Sequence, residues 1–462
     1  MKGMIDVHTQ LLESTRFSIT AQALARAFWI GTLITLPFRL RSVLIERPFP
    51  PIYVDYTYVL LFISDVCLIA TLAFWLLGLS LDRRRPSVGP LSLTLPIAGL
   101  TGVAVLSSLF SVDAQLSIYH AIRLILLAGF YLYVINEIKS LDEVILPVSI
   151  QVFIQAVVSI GQVLKQHSLG LASVGELELD PAWQGVSIVW AAGTRSLRAY
   201  GLSDHPNILG GSFAFALILI ASWYTMEQAR WRTVTASVFS LGALGLLLTF
   251  SRSAWIALAG GFLFLILVFV KTGQARATYR WISLISASLI LLAPFVWHNL
   301  PFLGVRLNVQ GSFTQVPQER QSIGERGLLI EAANTLFIER PLTGVGLGTF
   351  PLALLQRYPD LPVNYQPVHF ALLAAAAETG IFGAVLYAST LIAPWLMLWL
   401  NRNHLIFSPA LAGVSALLLA VTLVGLFDYY TWLLAPGRLW QWLSWGLWAG
   451  IFNISLHEVK ND

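Results

Sequence analysis

The sequence predicts an all-α polytopic membrane protein, and three observations predict it. Of the 462 residues 56% are hydrophobic and 11% are charged, whereas soluble domains use about 25% charged residues to cover their surface. The mean hydropathy is +0.73. Apolar runs of about 20 residues, the length of helix that crosses a ~30 Å hydrocarbon core, recur along the whole chain. We therefore expect a single integral membrane domain over residues 1–462.

Charge and cysteine content exclude further classes. The 28 Lys plus Arg against 24 Asp plus Glu give a net charge of +4, which is ordinary for a chain with basic cytoplasmic loops and does not indicate nucleic-acid binding. The single Cys67 excludes an internal disulfide and a cysteine-based metal site. Asp6, Glu13 and Arg16 fall where a cleavable signal peptide would be apolar, so we expect the first span to remain in the protein.

Twelve transmembrane spans are predicted from runs of about 17–24 mostly apolar residues. The first contains Arg26, the fourth contains Arg123, and the tenth is long enough to tilt or to extend beyond the bilayer. The predicted spans are 20–38, 58–80, 91–110, 119–136, 143–164, 206–225, 232–249, 253–270, 281–297, 367–400, 409–427 and 434–453.

Short basic loops predict the orientation. The connections after spans two, six and eight read LDRRRPS, MEQARWR and KTGQARATYR, so the positive-inside rule places them in the cytoplasm. An even number of spans then places both termini in the cytoplasm. The two long connections, 165–205 and 298–366, fall on the outer side, where long loops are tolerated whatever their charge.

The 298–366 connection is too long to be an idle loop, and we expect it to be catalytic. Ser322 and Glu325 have the spacing of a capping box, which predicts a helix that ends before Pro341. The glycines of PLTGVGLGTF then permit a tight turn. They follow a helix and lack a Lys-Ser/Thr ending, so they do not form a phosphate-binding loop.

Three basic residues on the outer side are candidate catalytic residues. His369 begins span ten, and a histidine there can act as a base or orient a hydroxyl near neutral pH. Arg326 lies in the first turn of the loop helix and Arg252 in the short turn before span eight. A guanidinium at the hydrocarbon boundary suits the oxygens of a diphosphate. An interfacial polar tip for His369 and a snorkelling side chain for Arg252 are the alternatives.

A second group of outer residues is a candidate for substrate binding. Asp204, His205 and Asn207 enter span six within GLSDHPNILGG, a segment that is equally a turn and a helix cap. Asp428 and Arg438 lie in GLFDYYTWLLAPGRLW and could line an acceptor groove, although its Tyr and Trp residues also suit the interfacial aromatic belt. Cations and a base on one face form a metal-free site for an anionic, lipid-linked substrate.

The chain resembles the bacterial O-antigen ligases and O-antigen polymerases, a family that also includes protein O-oligosaccharyltransferases. The resemblance rests on SRSAW at 251–255, on ERGLLIEAANTLFIERPLTGVGLGTF at 325–350 and on HFALLAAAAETGIFG from His369. GLSDHPNILGG is similar to an upstream segment of the family. Together these motifs cover residues 200–390, and the first 200 residues match only in their hydrophobic pattern.

The resemblance implies a GT-C-type fold and a metal-independent glycosyltransferase without a cofactor. Its substrate would be a glycan on undecaprenyl diphosphate, transferred to an acceptor hydroxyl at the periplasmic face of the bacterial inner membrane, as in lipopolysaccharide biosynthesis. His369 would match the histidine that activates the acceptor, and Arg326 and Arg252 the arginines that engage the diphosphate. Ile330 replaces a Leu of the family pattern, and Phe370 replaces a common Asn, which leaves the acceptor open.

Several functions stay open at this point. A lipid A core sugar as acceptor would make the protein a ligase, which we rank first; a second lipid-linked repeat would make it a polymerase, and a protein Ser or Thr an oligosaccharyltransferase. A transporter of small anions such as inorganic carbon is the alternative from another class. Transporters show internal repeats and midplane ionisable residues, whereas only Asp65 and Arg123 lie well inside predicted spans here. That distribution favours catalysis at the surface.

Overall fold

A computed structural model describes residues 2–191, 193–226, 231–309 and 317–461, which form fifteen α-helices and two short hairpins. The first helices are α1 Lys2–Thr35, α2 Ile63–Asp82, α3 Leu91–Ser107, α4 Ala114–Glu137 and α5 Asp142–Lys165. The central helices are α6 Pro206–Thr225, α7 Arg232–Leu248, α8 Arg252–Lys271, α9 Ala275–His298 and α10 Leu300–Arg306. The last are α11 Pro317–Glu339, α12 Phe350–Arg357, α13 Ala371–Leu400, α14 Pro409–Phe427 and α15 Ala435–Asn461.

Ten helices of the described residues are long and apolar enough to cross a membrane: α1 to α6, α8, α9, α13 and α14. In α1 the apolar part is Phe17–Thr35. The two other predicted spans coincide with α7, which has 17 residues, and with α15. Each predicted span is therefore a helix, and the prediction of an all-α polytopic membrane protein is confirmed.

Successive spanning helices alternate in direction, so their connections alternate between the two ends of the bundle. Side-chain contacts join connections that are distant in sequence at one end, for example Arg47 with Asp113 and Asn207 with Asp428. We call this end the loop face. Its connections are 36–62, 108–113, 166–205, 249–251, 299–370 and 428–434.

Two antiparallel hairpins on the loop face were not predicted. Strand β1 (Arg41–Ile45) pairs with β2 (Val59–Phe62) between α1 and α2, and β3 (Ile188–Ala191) pairs with β4 (Thr194–Leu197) between α5 and α6. Strands of four or five residues are too short to appear among apolar runs of membrane-spanning length.

Helix α6 is the central helix of the fold. Nearly all of its residues are buried, and it packs against α7, α8 and α14. A helix that is apolar all round belongs in such a position. Its N-terminal end therefore holds Asp204, His205 and Asn207 rigidly at the loop face.

The loop helix α11 begins at Pro317, five residues before Ser322. The expectation that Ser322 caps this helix is therefore wrong, because Ser322 lies inside it. The helix ends at Glu339, as expected from Pro341, which cannot continue the hydrogen-bond ladder.

Helix α13 is 30 residues long because it consists of two helical segments that meet at Gly380, where φ is +70° and ψ is −170°. The break frees two carbonyl groups of the preceding turn. The Ala377 carbonyl accepts the Val345 N–H at 2.9 Å, and the Glu378 carbonyl accepts the Gly346 N–H at 2.9 Å. The glycine-rich segment after α11 is thus joined to the start of α13, which follows His369.

Replacing Gly344 by alanine is expected to destabilise the protein. Gly344 has φ of +66°, and an added Cβ would lie 2.3 Å from the Glu378 carbonyl carbon. Backbone strain of this kind costs about 1–3 kcal/mol before the clash is counted, so the thermal unfolding midpoint in detergent should fall by several degrees. Gly102→Ala in α3 is the matched control, because a Cβ there meets nothing within 4 Å. Equal midpoints for both variants would contradict the prediction.

Candidate active site

A cavity of about 530 Å³ lies at the loop face and contains His369 in its wall. Five separate parts of the chain build the rest of it. They are the connection around β1 and β2, the first turns of α4, residues 177–208, residues 364–366 and residues 428–436. The fold thus brings together side chains that are up to 395 positions apart in sequence, from Arg41 to Pro436.

His369 is paired with Asp428. The Nδ1 atom of His369 lies 3.5 Å from Oδ1 of Asp428, and the Asp428 side chain is only 5% exposed. The imidazole also contacts Tyr429 edge to face, with ring centroids 5.0 Å apart. These contacts hold the ring in one orientation at the cavity wall.

Asp428 also accepts two hydrogen bonds from other groups. The Tyr429 N–H donates to Oδ1 at 2.9 Å, and Nδ2 of Asn207 donates to Oδ2 at 3.2 Å. The side-chain oxygen Oδ1 of Asn207 in turn accepts a hydrogen bond from Arg198 at 2.6 Å. Arg198, Asn207, Asp428 and His369 therefore form one polar chain, and the N-terminal end of α6 positions its middle.

The electrostatics of this chain favour a charged Asp428. Burial alone would raise its pKa, but its interaction with His369 and the positive charge of Arg326 outweigh burial, so the pKa of Asp428 is lowered from its ordinary value. A carboxylate beside Nδ1 places the imidazole proton on Nδ1. The Nε2 atom of His369 then carries the free lone pair of a base.

His205 has the opposite tautomer. Its Nδ1 accepts the Asn207 N–H at 3.1 Å as the cap of α6, and its Nε2 lies 3.1 Å from the Ser187 hydroxyl. Since Nδ1 is an acceptor, the proton is on Nε2 and is donated to Ser187. Burial lowers the pKa of His205 to about 3. His205 is therefore a neutral structural residue, and His369 is the histidine suited to act as a base.

Asp204 belongs to an ion cluster. It contacts Arg41 at 2.7 Å and Arg39 at 2.9 Å, and Arg41 also pairs with Asp55. Burial raises the pKa of Asp204 to about 6, against the lowering effect of the two arginines. The cluster fastens the connection around β1 to the start of α6, and it forms one wall of the cavity.

Arg326 and Arg252 both lie on the loop face but outside the cavity lining. Arg326 is half-buried in α11, and its Nε is buried without a hydrogen-bond partner among the described residues. Its charge acts on Asp428. Arg252 is the first residue of α8, whose start lies against Gly210 of α6.

Arg438 is buried beneath the cavity. Its Nε donates to the Trp432 carbonyl, and its Nη1 lies 3.4 Å from Nδ1 of His120. Trp432 in turn donates to the buried Glu378 at 2.8 Å. Asp428, Tyr429 and Tyr430 line the cavity, whereas Arg438 and Trp432 lie outside its lining.

Several site residues were missed from sequence. Arg198 supports Asp428 through Asn207, which was a sequence candidate, Arg41 fixes Asp204, and Tyr56 shares a short hydroxyl contact with Tyr429. No local motif indicates their partners.

The comparisons with known proteins agree with the motifs. No curated protein matches the chain. A family model described as O-antigen ligase matches residues 236–388, a range that includes Arg252, Arg326 and His369 and ends before Asp428. The similarity of this chain to the O-antigen ligase family, predicted from its motifs, is thereby confirmed over residues 236–388.

Proposed function

We propose that the protein transfers a glycan from undecaprenyl diphosphate to an acceptor hydroxyl. The observation that carries the proposal is the pairing of His369 with Asp428 at the wall of a cavity. The family match supports an activity of the ligase or polymerase kind. Metal independence and the identity of the donor belong to this proposal.

The chemical step needs a base beside the acceptor. The acceptor oxygen attacks the anomeric carbon, the bond from that carbon to the diphosphate breaks, and the diphosphate leaves with the electron pair. The acceptor proton passes to Nε2 of His369. Asp428, which faces Nδ1, stabilises the imidazolium that forms and keeps the ring in place.

The leaving diphosphate needs cations. Arg326 and Arg252 are assigned to it, since a planar guanidinium binds phosphate oxygens in a bidentate manner. The buried Nε of Arg326 has no hydrogen-bond partner in the part of the chain that the structure describes, which supports an anionic ligand there. Placed on the far side of the reacting carbon from His369, these charges would stabilise the transition state more than the ground state.

The location of the reaction is part of the proposal. The basic loops LDRRRPS and KTGQARATYR lie opposite the loop face, so the positive-inside rule assigns the loop face to the outer side of the bacterial inner membrane, with both termini cytoplasmic. Connections 165–205 and 298–366 would then be periplasmic, within one membrane domain over residues 1–462.

Transport of a small anion is less well supported. The two ionisable residues expected inside spans, Asp65 and Arg123, contact each other at 2.9 Å. Arg123 also donates to the Tyr119 hydroxyl at 2.6 Å. A neutralised pair is a structural element rather than an ion pathway, and uptake into sealed vesicles would test this interpretation.

Arg326→Ala is expected to reduce glycan transfer by at least about 100-fold, because it removes a cation from the leaving group. Arg326→Lys keeps the positive charge but loses the bidentate guanidinium, so its transfer rate should lie between those of the wild type and Arg326→Ala. Purified protein in liposomes with undecaprenyl-diphosphate glycan, a panel of acceptors and EDTA provides the assay. Arg357→Ala is the matched control, since Arg357 is an exposed arginine of the same connection. Full transfer by Arg326→Ala would remove Arg326 from the mechanism.

A further inference from the structure

One part of the cavity wall comes from the first 200 residues, outside the region that matches the family model. Tyr53, Tyr56, Tyr119 and Tyr200 contribute to it, and Tyr365, Tyr429 and Tyr430 complete it from the C-terminal part. Seven of the 14 tyrosines in the chain thus line one cavity. This concentration of tyrosines favours a ligand that packs against phenol rings.

The cations of the cavity are already neutralised. Two arginines line it among the described residues, and each has a carboxylate partner: Arg41 pairs with Asp204 and Asp55, and Arg123 pairs with Asp65. A phosphate or carboxylate entering the cavity would have to compete with those partners. Glu178 at the exposed side adds a further negative charge.

Apart from Asp428, which faces His369 and Asn207, the remaining polar groups of the lining are neutral donors and acceptors. Asn364 and Gln366, whose side chains carry amides, line the cavity together with the seven tyrosines. Sugar hydroxyls both donate and accept hydrogen bonds, and aromatic ring faces pack against the C–H faces of sugar rings. A volume of about 530 Å³ falls within the range of small-ligand sites.

We propose that this cavity takes an uncharged sugar unit of the acceptor, and that its tyrosine wall and neutralised charges select against anionic sugars and peptides. The assignment to the acceptor rests on the proposed function: Arg326 and Arg252, which would hold the donor diphosphate, lie outside the cavity lining. An uncharged sugar of the donor would have the same chemistry, and kinetics separates the two.

Binding can be tested without any transfer reaction. Saturation-transfer NMR on the protein in nanodiscs would use maltose, glucose 6-phosphate and a serine-containing peptide as probes. We expect a signal from maltose and signals at least about fivefold weaker from the other two, since loss of one aromatic or polar contact alone is worth about that factor. A stronger signal from glucose 6-phosphate or from the peptide would overturn the proposal.

Two variants test whether maltose binds in the cavity. Tyr53 is 53% exposed at the cavity, and Tyr279 on α9 is 75% exposed away from it. Tyr53→Ala should weaken the maltose signal, whereas Tyr279→Ala should leave it unchanged. Equal signals from both variants would mean that maltose binds elsewhere. Since no donor is present, failure here is distinguishable from failure of the transfer reaction.

Kinetics identifies the role of the bound sugar. In the liposome assay, Tyr53→Ala should raise KM for a neutral acceptor by about fivefold while KM for the donor stays constant. Glu178→Lys should improve transfer to a phosphorylated acceptor relative to the neutral one, whereas Asp360→Lys, at an exposed position outside the lining, should not. A raised KM for the donor alone would assign the cavity to the donor sugar and contradict the proposal.

Discussion

His369→Ala is expected to reduce glycan transfer by about 10²–10⁴-fold, the contribution of a well-placed general base. The loss should appear in kcat, because the imidazole takes the acceptor proton only as the new bond forms. The assay is the one in liposomes with EDTA present. His167→Ala is the matched control, since His167 is half exposed on the same face and pairs with Asp180 outside the cavity.

Chemical rescue separates a base from a structural residue. Removing the ring of His369 leaves space at the cavity wall beside Asp428, which free imidazole can enter. We expect added imidazole to restore part of the transfer by His369→Ala and to leave the wild-type rate unchanged. Equal transfer by His369→Ala and wild type would remove His369 from the mechanism and direct attention to Asp204 and Asp428.

The membrane architecture was predictable because each span is encoded locally. A run of about 20 apolar residues must be helical in lipid, where every backbone group needs an internal hydrogen bond. Hydropathy therefore located a helix at each of the twelve predicted spans, with differences only at the helix ends. The break of α13 at Gly380 was not predictable in this way, because it depends on carbonyls that bind a segment some 30 residues earlier.

The candidate site was predictable only as a set of residue types on one face. His369, Arg326 and Arg252 were selected because buried or interfacial charges are costly and therefore functional. Which of them meet depends on tertiary contacts. Asn207 and Asp428 are 221 positions apart, and Asp204, expected among the substrate-binding residues, lines the cavity and is paired with Arg39 and Arg41.

Asp428→Asn is the second variant with a large expected effect. Both carboxylate oxygens of Asp428 face donors, the Tyr429 N–H and His369 on one side and the Asn207 amide on the other. The NH2 group of an asparagine would therefore oppose a donor in either orientation. Turned toward His369, it moves the imidazole proton to Nε2 and abolishes the base, so we expect kcat to fall by about 10²–10⁴-fold. Wild-type kcat in Asp428→Asn would exclude this role.

The exchange of Asn207 and Asp428 tests the same polar chain from the other end. In the double variant Asn207→Asp plus Asp428→Asn, the new amide can donate to the carboxylate at 207, which Arg198 already faces. Its carbonyl oxygen can then accept from His369 and from the Tyr429 N–H, which restores the tautomer with a free Nε2. We expect the double variant to transfer faster than Asp428→Asn alone, and a double-mutant cycle measures the coupling. Additive losses would mean that Asn207 does not act through Asp428, because a shared hydrogen bond cannot be lost twice.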